Sequence, residues 1–263
     1  MPVLFSLQIY ILEISASMKS SLFLTSSPCA PAPETLAAPF VMSEENGFLA
    51  LLRQRLCASP RLLLIASDPG QSTWNDRMLE DFILGFRASG FENAVGLMLD
   101  ERDSTPLSAL LDVSDLVLLC GGHVPTQNRY FARLRLGQAL RSYEGVILGI
   151  SAGSMNAATT VYAQPEEPGE SLDPDYDRFP PGLGLTDVHI LPHLNMTRND
   201  ILDGYRLFED ITFADSSRMP FLAIPDGSFV LCENGRETLY GEGHLIEHGV
   251  MRRLCSKGET LAL

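Results

Sequence analysis

Seven short apolar runs alternate along the chain with segments of helical periodicity, and this alternation leaves few folds open. The runs are Leu22 to Thr25, Arg61 to Ala66, Ala94 to Met98, Leu116 to Cys120, Val146 to Ile150, Val188 to Leu191 and Phe221 to Ile224. Helical patterns occupy Glu45 to Cys57, Thr73 to Ala88, Asn128 to Tyr143 and Arg198 to Phe208. Strands that are apolar throughout need cover on both faces, the situation of a parallel sheet wrapped by crossover helices. The expected fold is therefore α/β, a three-layer sandwich with a mostly parallel central sheet. Turn signals at Glu233-Asn234-Gly235 and Gly241-Glu242-Gly243 add C-terminal antiparallel hairpins. Two irregular stretches break the alternation. One follows the first strand and carries Pro28, Pro31, Pro33 and Pro39; the other, Gln164 to Gly184, has too many prolines for a long helix.

A chain of 263 residues can bury one substantial core, so one domain over 18–263 and one active site are expected. The formal charge of -14 opposes a polyphosphate backbone, which excludes nucleic acid as the natural partner. Five cysteines, Cys29, Cys57, Cys120, Cys232 and Cys255, follow no Cys-x-x-Cys or Cys/His spacing. They read as small buried hydrophobes of a reducing, cytoplasmic protein without a metal site. Residues 1–17 are apolar around Leu4 to Leu12 but contain Glu13, precede the first lysine, Lys19, and are too short to span a bilayer. They are expected to be an N-terminal extension outside the native domain rather than an export signal or membrane span.

In an open parallel sheet, ligands bind beyond the carboxyl ends of the strands, so polar residues directly after a strand carry the most weight. Four segments meet that condition: Cys120-Gly121-Gly122-His123, Ser151-Ala152-Gly153, Pro192-His193 and Pro225-Asp226-Gly227. Gly149-Ile150-Ser151-Ala152-Gly153 has the Gly-x-Ser-x-Gly form, whose small flanks let a tight strand-to-helix turn expose a hydroxyl. A serine hydroxyl attacks only when a base takes its proton, and histidine suits that task near neutral pH. Of the five histidines, His193 sits just past a strand end; His189 lies within a strand, His244 and His248 belong to the C-terminal hairpins and should face solvent, and His123 suits the pocket wall. Gly121-Gly122 permits close backbone approach and can aim an amide at the oxyanion that the Ala152 amide also faces. For the acid that orients the histidine, Asp226, Glu166 and Glu167 all compete.

In this order, the strand from Met18 to Ser27, Gly121-Gly122-His123, Gly149 to Ser154, Ile190-Leu191-Pro192-His193 and Ile224-Pro225-Asp226-Gly227 resemble the dipeptidase E and cyanophycinase group of serine peptidases. These share their fold with class I glutamine amidotransferases. The resemblance implies Ser151 as nucleophile, His193 as general base, and the Gly122 and Ala152 amides as oxyanion hole. The third residue corresponds to Glu166 on the dipeptidase E pattern and to Asp226 on the cyanophycinase pattern. It also implies Arg198 as the anchor for a substrate carboxylate. Cys120-Gly121-Gly122-His123 replaces a triple-glycine-asparagine turn, and the segment from His193 to Arg198 is shorter. Both departures bear on aspartyl preference more than on the chemistry.

The expectation is hydrolysis of short peptides, including those with N-terminal Asp, without metal or organic cofactor. A second copy of the chain is the one protein partner the reading allows. The rivals are an amidotransferase-like acyl transferase, for which cysteine would be usual at position 151, and a small-molecule binding module that has lost its chemistry. A phosphate-binding nucleotide module ranks below both, because neither Gly-x-Gly-x-x-Gly nor Gly-x4-Gly-Lys-Ser/Thr occurs.

Overall fold

The protein is seen in a computed structural model that describes residues 20–31 and 40–263. The expectation for residues 1–17 lies outside the described residues, as do Pro33 and Pro39. Among the described residues the strands are β1 (Ser21–Thr25), β2 (Arg61–Ile65), β3 (Val95–Leu99), β4 (Leu116–Leu119), β5 (Val146–Ile150), β6 (Ile190–Leu191), β7 (Ile201–Leu202), β8 (Tyr205–Arg206), β9 (Phe221–Ala223), β10 (Phe229–Glu233), β11 (Arg236–Tyr240), β12 (Gly243–Glu247), β13 (Val250–Cys255) and β14 (Thr260–Ala262). The main sheet has the order β14-β11-β10-β1-β5-β4-β2-β3. Its five strands from β1 to β3 are mutually parallel, while β10, β11 and β14 add antiparallel pairs.

Alternation of side chains sorts the apolar runs onto two faces. Leu63, Ile65, Val117, Leu119 and Ile147 pack on one side with the helices α3 (Leu107–Asp112), α4 (Val124–Leu134) and α5 (Leu136–Leu140). Leu62, Leu64, Leu116, Leu118 and Leu148 pack on the other with α1 (Phe48–Arg53) and α2 (Ser72–Ala88). This is the three-layer sandwich expected. Among the described residues no helix is long and apolar enough to cross a membrane.

Three features differ from the sequence reading. The stretch 128–143 is two helices, because the chain enters α4 earlier, with Pro125 in its first turn, and breaks at Arg135 in a left-handed conformation. The stretch 198–208 is not one helix. A short α7 (Leu194–Thr197) gives way to the β7–β8 hairpin, whose Asp203-Gly204 corner has positive φ at both residues, and a wide helical turn follows over Leu207–Thr212. Finally, β6 and β9 are not in the main sheet. They belong to a second sheet of order β13-β12-β9-β6, in which β6 and β9 run parallel.

A separate core docks this small sheet. Leu191, Phe221, Ala223 and Ile246 pack with Tyr162, Phe208, Leu194, Ala152 and Met155. The last two belong to α6 (Ala152–Asn156), the helix that follows β5. From β9 the chain makes one tight turn through Pro225-Asp226-Gly227 into β10, which pairs with β1. That turn joins the two sheets, and it ends beside the last residues of β1.

Candidate active site

The parallel register of β1, β4 and β5 aligns Thr25 with Ile150 and Leu119 with Gly149, so these three strands end side by side. Ser151 leaves β5 at φ 49 and ψ -112, well outside helix or strand, and caps α6. Side chains rarely adopt this conformation, and the surroundings enforce it. The Ser151 N–H donates to the Thr25 carbonyl at 3.0 Å, and the buried Ser154 hydroxyl donates to the same oxygen at 2.7 Å. Both flanking glycines are required by space. A Cβ on Gly153 would lie 2.1 Å from the Leu119 carbonyl oxygen, and one on Gly149 would lie 2.9 Å from the Ser154 backbone.

His193 follows β6 and is also left-handed, at φ 55 and ψ 33. Its Nε2 lies 2.9 Å from Ser151 Oγ, and its Nδ1 lies 2.8 Å from Asp226 Oδ1. A continuous hydrogen-bonded chain therefore runs from Ser151 through His193 to Asp226. Burial works to raise the Asp226 pKa, but hydrogen bonds from His193 and Ser26, with the histidine's charge, outweigh it and hold the carboxyl below its ordinary value. Asp226 is thus ionised and can accept the Nδ1 proton, which leaves Nε2 free to accept from Ser151.

Gly121 and Gly122 follow β4 beside this chain. A Cβ on Gly121 would stand 3.4 Å from the Ser151 Cβ, and one on Gly122 would collide with the Ser67 hydroxyl at 2.4 Å. Ala152 is fully buried as the first residue of α6, where an amide has no partner within the helix.

The other residues singled out in the sequence are not joined to this chain. Among the described residues Glu166 makes no hydrogen bond to His193. Its Oε1 accepts from the Val124 N–H at 3.2 Å, at the start of α4; the residue as a whole is exposed, but desolvation of its carboxyl pushes the pKa up to about 7. The loop after α6 thus directs the Glu166 carboxyl to the start of α4. Glu167 is exposed. His123 bonds Thr126 through Nδ1 and Glu170 through Nε2, both at 2.8 Å. His123, Glu167 and Glu170 each offer a ligand atom within 4.8 Å of the others, yet His123 Nε2 is already committed to Glu170. Arg198, just past α7, is exposed and its guanidinium has no partner among the described residues. His244, expected at the surface, is buried and bonded to Glu242.

Ser26 was missed. It is the polar residue directly after β1, so the strand-end argument that selected Ser151, His193 and Asp226 selects it as well. Cys120, at the end of β4, is no rival nucleophile, because burial pushes its thiol up to about 12. Beside Asp226 lies a cavity of about 380 Å³, walled by Cys29, Phe40, Met78, Phe82, Gly121 and Ile150, with no lysine or arginine among its lining residues.

The model of peptidase family S51 matches residues 48–240. The chain belongs to peptidase family S51. It is a serine-type peptidase. Among solved structures it resembles a peptidase from an acI-B1 Actinobacterium, with 18% identity over 93% of this chain and 97% of that one and a TM-score of 0.60. It also resembles a protein described as a peptidase E from Listeria monocytogenes EGD-e, with 15% identity over 89% and 98% and a TM-score of 0.53. At these identities the likeness is one of fold. No curated protein matches the sequence.

Proposed function

We propose that this S51 peptidase hydrolyses short peptides through an acyl-enzyme on Ser151. The observation that carries the reading is the hydrogen-bonded chain Ser151–His193–Asp226. As Ser151 Oγ attacks the scissile carbonyl carbon, His193 Nε2 takes its proton, and the ionised Asp226 at Nδ1 stabilises the resulting imidazolium. The carbonyl oxygen becomes an oxyanion that accepts hydrogen bonds from the Gly122 and Ala152 amides. His193 returns the proton to the leaving amine, the C–N bond breaks, and an ester to Ser151 remains. Water, deprotonated by the same histidine, hydrolyses that ester and restores the serine.

Dipeptides with N-terminal Asp are the first substrates to test. The described wall of the cavity beside Asp226 holds no lysine or arginine, and Arg198, exposed just past α7, is the candidate group for a substrate carboxylate. On a panel containing N-terminal Asp and apolar dipeptides, wild type is expected to release amino acids. Ser151→Ala should fall by about 10⁴- to 10⁶-fold in kcat. Equal turnover by the two proteins would sink the mechanism.

A further inference from the structure

Four polar side chains meet where the strands end, and the triad uses three. The fourth, Ser26, is fully buried. Its hydroxyl oxygen accepts the His193 backbone N–H at 2.8 Å and lies 3.3 Å from His193 Nδ1. The hydroxyl also donates to Asp226 Oδ1, the same oxygen that faces Nδ1. A hydroxyl has one proton, so with that proton on Asp226 the serine presents only lone pairs to the histidine. Nδ1 must then be the donor toward Asp226, and Nε2 is left bare toward Ser151. The contacts of Ser26 with Asp226 and with Nδ1 therefore favour the one tautomer in which His193 can act as a base.

The serine also answers a backbone need. His193 is left-handed, a conformation that a residue with a side chain keeps only where its surroundings hold it. Met196 and Thr197 amides hold the His193 carbonyl, and Ser26 holds its N–H. One side chain, from the end of β1, thus ties the main chain after β6 to the carboxylate after β9.

We propose that Ser26 is a positioning residue of the peptidase: it clamps His193 and Asp226 together and fixes the imidazole tautomer that faces Ser151. This rests on the acyl-enzyme reading above, and the test separates the two. A fluorophosphonate probe labels an activated serine whatever the peptide substrate is, so its rate of reaction at Ser151 is followed against pH. Wild type, Ser26→Ala and Ser26→Thr are compared, and rates are normalised to folded protein by near-UV circular dichroism.

Ser26→Ala should label about 10- to 100-fold more slowly, the scale of a lost hydrogen bond to a charged group. The acid limb of its pH–rate profile should move to higher pH, because a carboxylate relieved of one donor draws the imidazole proton more strongly. Ser26→Thr keeps the hydroxyl and should keep the wild-type acid limb on the molecules that fold. The proposal is overturned by equal labelling rates in wild type and Ser26→Ala, or by a slower rate with the acid limb unmoved, which would assign Ser26 to packing. An acid limb that moves in Ser26→Thr as it does in Ser26→Ala overturns it too. Absence of labelling in wild type would instead overturn the acyl-enzyme reading.

Discussion

Asp226 and Glu166 are chemically alike, but their surroundings drive them in opposite directions. Asp226 gains two donors and stays ionised, whereas Glu166, on an exposed stretch of chain, has one backbone donor, and desolvation of its carboxyl pushes its pKa up to about 7. If Asp226 orients His193, Asp226→Asn should lower kcat by about 10³- to 10⁴-fold, since an amide can favour the wrong tautomer. Glu166→Gln should keep activity within a few-fold, and the reverse result in the same peptide assay would return the role to Glu166. The two differ in stability as well. Glu166 binds its proton more tightly folded than unfolded, so its contribution is full below its ordinary value of 4.5 and is lost as pH rises toward 7. Urea denaturation of Glu166→Gln should show a flatter decline over that window than wild type. The sequence pointed to Ser151, His193 and Asp226 by their places after strands, but it left the acid open. Which carboxylate meets His193 depends on where a loop folds back, and no local pattern encodes that.

At the scale of elements, the turn between β5 and α6 owes its shape to two glycines and to the Thr25 carbonyl that receives both Ser151 and Ser154. Gly153→Ala places a methyl against the Leu119 carbonyl. It should destabilise the fold by about 1–3 kcal/mol in urea denaturation and slow probe labelling of Ser151, because α6 must move to relieve the contact. Unchanged stability would show that the turn has room the geometry denies. The central strands β1, β2, β4 and β5 were legible to within a residue or two because they are largely buried on both faces and bounded by polar turns, while the edge strand β3, with Val95 and Leu97 exposed, was legible from its apolar composition alone. The stretch 198–208 was misread because its apolar spacing suits a helix, while the Asp203-Gly204 corner that makes it a hairpin is only two residues long. The division into two sheets was not legible either, since β6 and β9 are two and three residues long and find each other across intervening chain.

Over the whole molecule, acidic side chains outnumber basic ones by fourteen, an excess of negative charge. Local pairs such as Arg102 with Asp76 and Asp100, and Arg55 with Glu233, offset only part of it. Screening should therefore stabilise the protein, and moving from low salt to about 0.5 M NaCl is expected to raise the unfolding temperature by about 2–4 °C. A fall in differential scanning calorimetry would mean that these ion pairs outweigh the repulsion. The turn between β9 and β10 has a consequence for how the molecule is made. Along the chain Ser151 precedes His193, and Asp226 comes only after both, on the turn that leads into β10 and its pairing with β1. On the proposed mechanism, a chain still emerging from the ribosome carries Ser151 before the two side chains that would activate it, so the site is complete only once β10 has paired with β1.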